Sequence, residues 1–141
     1  MIRYLLDTDT ISYLMKKEHE FHKNIVQRLL SKEEGSVAIS VISLSEISVG
    51  IERGKITKDK KQLLLKALQN MLSSIIVLEF SEESAWIYGN IRSNIIDSGQ
   101  DIGSMDTLIA AQALSQKLVL VSNNLKHFQR IPQLKIENWT E

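Results

Sequence analysis

Residues 2–15 read IRYLLDTDTISYLM. The first five form a short, largely apolar run that stops at Asp7, and such a run predicts a buried strand. From residue 8 the spacing changes: Ile11, Leu14 and Met15 fall at helical intervals, which predicts a helix over 8–15. A strand passing straight into a helix begins an α/β unit, and the rest of the chain repeats the alternation. A helix is expected over 20–30, where Ile25, Val26, Leu29 and Leu30 share a face, and another over 43–53, ended by Gly54. Residues 58–72 place Leu64, Leu65, Leu68 and Leu72 on one face. Ser81 caps a helix over 81–98, with Glu82 and Glu83 in its first turn and Gly99 just past its end. Two more helices are expected over 104–116 and 125–129. Further strands are expected over 36–41, 75–80 and 118–121, with a last edge strand at 134–136. The expectation is an α/β fold: one domain over 1–141, with a mostly parallel central sheet of about five strands and helices on both faces. Ligands of such sheets bind beyond the carboxyl ends of the strands.

Composition agrees with one globular domain. The chain has 141 residues, 43% hydrophobic and 24% charged, with one Pro and six Gly. It has no cysteine, which excludes a disulfide framework, a thiolate zinc site and a cysteine nucleophile. No apolar run approaches the roughly 20 residues of a membrane span, and the opening run is too short for a signal peptide. A cytoplasmic protein without a membrane partner is expected. Seventeen Lys and Arg cancel 17 Asp and Glu, which argues against coating nucleic acid by bulk charge. Two basic stretches remain: Arg53, Lys55, Lys58, Lys60, Lys61 and Lys66, then Lys117, Lys126, Arg130 and Lys135. Composition alone reads both as solvated helix faces.

The acids are more informative. Asp7 ends the first strand, Glu46 is expected in the first turn of the helix after the second, and Asp106 opens the helix that leads into 118–121. Asn124 follows that strand. Each has a structural reading: Asp7 as an N-cap, Ser43-x-x-Glu46 as a capping box, and Asp106 as a dipole partner. Together they gather at one sheet edge. Three carboxylates in one cleft repel, and no lysine or arginine lies beside them in sequence. A hard divalent cation relieves that repulsion, and oxygen-only ligands suit magnesium or manganese. Such a site can clamp a phosphodiester and acidify a water.

At these residues the chain resembles a known family. YLLDTDTISYLM (4–15), ISVISLSEISVGIERG (39–54), IGSMDTLIAAQAL (102–114) and VLVSNNLKHFQRIPQLKIENW (119–139) resemble, in order, the motifs of PIN-domain nucleases. The match is to the VapC-type toxins of bacterial toxin–antitoxin pairs and runs nearly end to end. The resemblance implies a metal-dependent endoribonuclease using Mg²⁺, with Mn²⁺ as a substitute. Asp7, Glu46 and Asp106 take the family's metal-binding positions, and Asn124 takes the fourth, which is acidic in many relatives. Ser122 matches a small hydroxyl position beside the site, and Phe128, Pro132 and Trp139 are given packing roles. Asp9 departs from the usual Asn; it is read as fixing the turn, with added charge toward the metal as the alternative. Asp101 is left outside the site.

The resemblance further implies an RNA substrate, with transfer RNA the leading class, and the two basic stretches as its groove. It implies a cognate antitoxin that lays an apolar helix over 8–30 and 43–72, subject to the exposure of Ile47, Ile51, Leu64 and Leu68. It also implies a homodimer through the 81–98 helix. His19-x-x-His22 is read as surface, and His127 as solvent-facing, with contact to an RNA phosphate as its alternative. Two rivals stay open. Asp7-Thr8-Asp9 mimics the nucleophile motif of haloacid-dehalogenase-type phosphatases, with Asp101 and Asp106 as a late acidic pair. A PIN-like RNA-binding module without catalysis is the other.

Overall fold

Leu5 and Leu6 are both fully buried, because the strand that carries them lies in the middle of a sheet covered on both faces. A computed structural model describes residues 1–141. Its elements run β1 (Tyr4–Leu6), α1 (Thr8–Met15), α2 (His22–Leu30), β2 (Val37–Ser40), α3 (Val41–Arg53) and α4 (Lys58–Leu72). They continue with β3 (Ile76–Leu78), α5 (Glu82–Ser98), α6 (Ser104–Ser115), β4 (Val119–Val121), α7 (Leu125–Phe128) and β5 (Ile136–Glu137). The five strands pair in the order β3-β2-β1-β4-β5, and every pairing is parallel. This is the expected architecture, with the sheet wholly parallel.

The register explains the two cores. Leu5 stands opposite Ala38 and Leu120, and Leu6 stands opposite Ile39 and Val121. Successive side chains of a strand point to opposite faces. Leu5, Ala38 and Leu120 therefore join the cluster with Ile91 and Ile95 of α5 and Ile109 and Ala110 of α6. Leu6, Ile39 and Val121 join the other, with Ile11 of α1, Ile25 of α2, Ile47 of α3 and Leu68 of α4. Phe128 and Trp139 are 1% exposed, one in each cluster, as their packing roles require. Pro132 is exposed and takes no such part.

The order also fixes where a cleft can open. From β1 the chain steps outward to β2 and β3, then returns past β1 to β4 and β5. The switch lies between β1 and β4, and ligands of open parallel sheets sit beyond the carboxyl ends at that point. Asp7 directly follows β1, and Ser122 directly follows β4.

One boundary matters for the site. The third helix starts at Val41, not residue 43, and its N-cap is Ser40, whose hydroxyl accepts from the Ile42 amide. Glu46 therefore sits in the second turn, and the capping box expected for Ser43 and Glu46 does not form.

Candidate active site

Asp7 is the N-cap of α1: its Oδ1 accepts from the Thr10 amide at 2.9 Å. The expected capping role is real, and it places the carboxylate at the mouth of the switch point. Asp7 is only 3% exposed. Burial pushes its carboxyl from 3.8 up to about 6, opposed by hydrogen bonds from Ser122 and Thr10 and reinforced by the charge of Asp9.

Glu46 is held across 38 residues rather than within its own helix. Thr8 donates its hydroxyl to Glu46 Oε1 at 2.7 Å, and the same hydroxyl lies 3.0 Å from the buried Ser43 Oγ. The two residues of the supposed capping box thus both face α1.

Asp106 occupies the first turn of α6, whose N-cap is Gly103 at φ +94, a conformation open to glycine and costly for other residues. Burial raises the Asp106 carboxyl above its ordinary value, His127 lowers it, and the charges of Glu46 and Asp9 raise it further. Glu46 and Asp9 therefore share one field with Asp106.

The turn after β4 completes the edge. The fully buried Ser122 accepts from the Asn124 amide at 2.9 Å while its hydroxyl serves Asp7. Asn124 stands at the N-cap of α7, yet its side chain makes no capping bond. Its Nδ2 instead lies 2.8 Å from His127 Nδ1. That same nitrogen is 3.6 Å from Asp106 Oδ2. His127 is thus half-buried against the site, which corrects its reading as solvent-facing. The missed signal was Asn124-x-x-His127, because side chains three residues apart meet on a helix face.

Asp9 is exposed in the first turn of α1, and the turn it was expected to fix is held by Asp7. Its contribution is charge, since it raises both Asp7 and Asp106. Asp101 is engaged elsewhere, in a bidentate pair with Arg92 and a bond from the Gly103 amide, so it forms no acidic pair with Asp106. The two early histidines are not free surface. His19 stacks on Tyr13 at 4.3 Å and accepts from the Phe21 amide, while His22 Nδ1 meets the Tyr13 carbonyl.

The donor set fits a hard divalent cation. All three acids offer oxygen, one is raised to about 6 by burial, and another is raised by burial first and by its acidic neighbours after it. The structure brings Asp7, Glu46, Asp106 and Asn124 to one edge. It does not close any three acidic or imidazole side chains around a single point, Glu46 being turned to Thr8.

The PIN domain matches residues 4–134. The chain belongs to the PIN-domain family. Among curated PIN-domain relatives, it is 36% identical to Ribonuclease VapC2 of Rickettsia felis, over 96% of this chain and 97% of that one. It is 30% identical to the tRNA(fMet)-specific endonuclease VapC of Salmonella typhimurium, over 99% of each chain. Its fold is similar to that in the crystal structure of VapBC2 from Rickettsia felis bound to a DNA fragment from their promoter. The TM-score is 0.82 at 34% identity, covering 99% of both chains. The haloacid-dehalogenase reading falls with this membership.

Beside the acids the PIN domain carries a groove of about 350 Å³, lined by Asp9, Met15, Glu46, Ile47, Ile56 and Leu64 among others. Ile47, Ile51 and Leu68 are no more than 9% exposed, so they belong to the core, and Ile47 and Ile51 form the groove's floor. Lys16 and Lys60 stand on its wall. The expected basic face divides on the structure. Lys61 pairs with Glu52 at 3.2 Å. Lys117 and Lys135 lie before β4 and β5, at the sheet edge opposite the acids, and so leave the site.

Proposed function

We propose that this chain is the toxin of a toxin–antitoxin pair, a divalent-metal-dependent endoribonuclease. What supports the reading is the field that Glu46 and Asp9 share with Asp106, beside the buried Asp7 at the end of β1, in a chain matched nearly end to end by a VapC ribonuclease. Mg²⁺ is the proposed ion, with Mn²⁺ as its substitute, since both favour oxygen ligands. When bound, such an ion supplies positive charge for a scissile phosphate and acidifies a water for in-line attack.

The chain's own residues have separate tasks. Asp7 presents a carboxylate already oriented by the Thr10 amide and Ser122. Glu46 and Asp106 complete the acidic set, Glu46 by turning from Thr8. Asn124 offers an uncharged amide oxygen, and Asp9 adds negative field from the rim. Lys16, Lys60 and Lys126 are the proposed phosphate contacts of the RNA, with transfer RNA the proposed class, as a relative's name suggests.

The groove beside the acids is the proposed seat of the antitoxin. An apolar helix would cover Met15, Ile56 and Leu64, and a basic side chain at its edge would meet Asp9 and Glu46. A homodimer through α5 is part of the proposal, Trp86 there being 75% exposed. No helix is long and apolar enough to cross a membrane, and the cytoplasm is the proposed location.

Cleavage of total RNA and of a transfer-RNA pool tests the reading, with Mg²⁺, Mn²⁺ or EDTA and an Asp106→Asn control. Discrete fragments that need metal and vanish in the variant are expected. Folded protein that binds RNA and never cuts it would move the chain to the non-catalytic binding module.

A further inference from the structure

His127 is the residue at the site that nothing above assigns a task. Its Nδ1 faces two groups, Asn124 Nδ2 at 2.8 Å and Asp106 Oδ2 at 3.6 Å. The nearer contact bears on an ambiguity peculiar to asparagine. An amide has a donating end and an accepting end, and rotation by half a turn exchanges them. With its oxygen toward the cleft, Asn124 can serve a cation. With its NH₂ there, it presents two hydrogens that a cation repels.

Asn124 has no other side-chain partner to decide between these orientations. It makes no capping bond in α7, and Ser122 holds only its backbone amide. In the tautomer that carries its proton on Nε2, Nδ1 accepts from Nδ2, takes up the donating end and leaves Oδ1 without a protein donor; Nδ1 then has no hydrogen for Asp106, 3.6 Å away, whose oxygens are left to the cation. A carboxylate at this position would need no such partner, because its two ends are the same. The charge-neutral fourth residue therefore brings an orientation requirement with it, and His127 stands where that requirement is met.

We propose that His127 is a positioning residue that sets the amide of Asn124 with its oxygen toward the divalent cation. The proposal rests on the reading of Asn124 as part of a metal site. His127 sits three residues after Asn124 on α7, with its backbone amide bonded to the Asn124 carbonyl at 3.2 Å, so the helix turn itself fixes the pairing. Its side chain is 40% exposed, so truncating it opens no core cavity.

The experiment is a cycle of His127→Ala and Asn124→Asp, singly and together, read by calorimetric Mg²⁺ binding to the RNA-free protein and by RNA cleavage. His127→Ala is expected to weaken Mg²⁺ binding and lower kcat about tenfold, with KM for RNA little changed, the usual scale for a group that orients a ligand. On the Asn124→Asp background the same truncation is expected to change both by less than about twofold, there being no amide left to orient. His127→Asn, whose Oδ1 can accept where Nδ1 does, is expected to restore most of the loss. A rise in KM that is equal in both backgrounds would make His127 an RNA contact and overturn the proposal. Unchanged Mg²⁺ binding in His127→Ala would overturn it too. Wild-type protein that neither binds Mg²⁺ nor cuts RNA would remove the metal-site reading itself, an outcome visible before any variant is compared.

Discussion

Ser40 Oγ donates to Gln112 Oε1 at 2.5 Å in the interior, and the bond joins the two helices that carry opposite walls of the acidic edge. Ser40 caps α3, which bears Glu46, and Gln112 lies on α6, which bears Asp106. Gln112 is fully buried, and its Nε2 also donates to the carbonyls of Leu78 and Glu79 at the end of β3. One amide thus ties the start of the Glu46 helix and the end of β3 to the Asp106 helix. Gln112→Leu leaves a hydroxyl and two carbonyls without their partner and is expected to cost roughly 2–3 kcal/mol. Urea unfolding reads that loss, and cleavage is expected to fall in the same variant while its fold persists. An unchanged unfolding midpoint would show that the amide is dispensable.

Asp7 is expected to trade stability for function. Its value is 3.8 ordinarily and about 6 in the fold. Well below 3.8 it is protonated in both states; from there to about pH 6 the unfolded chain releases a proton that the fold keeps, and above about 6 the ionised form costs the fold the full amount, roughly 2–3 kcal/mol. Asn carries no charge and still caps a helix. Asp7→Asn in EDTA is therefore expected to unfold at a higher temperature than wild type at pH 7.5, to match it near pH 3, and to be inactive. Equal melting temperatures at both pH values would place Asp7 in a wetter setting than its 3% exposure implies.

The same shift governs the acid limb of activity. At the proposed metal site protons and cation compete for Asp7, and Asp106 is raised in the same direction. Cleavage at low Mg²⁺ is expected to fall as pH drops through about 6, and a tenfold increase in Mg²⁺ is expected to move that limb to lower pH. A limb that stays in place at every Mg²⁺ concentration would assign it to another group. Rate profiles at two metal concentrations make the measurement.

Charge placement predicts which lysines meet RNA. Lys16→Ala and Lys60→Ala are each expected to weaken RNA binding and to reduce the slope of log K against log salt by about 1. Lys117→Ala and Lys135→Ala, at the opposite sheet edge, are expected to change neither. Filter binding across a salt series with Asp106→Asn, which prevents turnover, separates the two pairs.

Gly103 has open space around it, so a methyl group there meets nothing within 4 Å. Its φ of +94 still disfavours any side chain. Gly103→Ala is expected to cost about 1–2 kcal/mol by backbone strain alone and to disturb Asp106 three residues on. A thermal melt beside a cleavage assay checks both parts. A variant as stable as wild type would mean that the turn can relax at no cost.

What was legible in the sequence was governed by local pattern. The LVLV strand at 118–121, the leucines at 64, 65, 68 and 72, and Gly99 after its helix each announce an element within a few residues, and each element is present. The acids were legible because they fall directly beyond such elements. Glu46 shows the limit. Ser40 and Ser43 both suit an N-cap, and what decides between them is Thr8, a contact made only once β1 and β2 are paired. Asp9 and His127 each act partly on Asp106, which only the fold brings to them, whereas the Asn124–His127 pairing is local and was open to view in the spacing. The division of the lysines by sheet edge likewise needs the direction of every strand.

Leu6, Ile39 and Val121 stand in one row across three strands, and Asp7, Ser40 and Ser122 are the residues that follow them. That row works as a ruler. An added residue inside β1, β2 or β4 would turn the group behind it onto the wrong face. The opposite rim has no such ruler: the turn over 32–35 precedes β2 and holds none of the proposed site residues, and Glu33 and Glu34 there are exposed. Chain can be spliced in at that rim while the chemical end keeps its alignment, which makes the 32–35 turn the place to graft an epitope or a fluorophore for following this protein in a living cell.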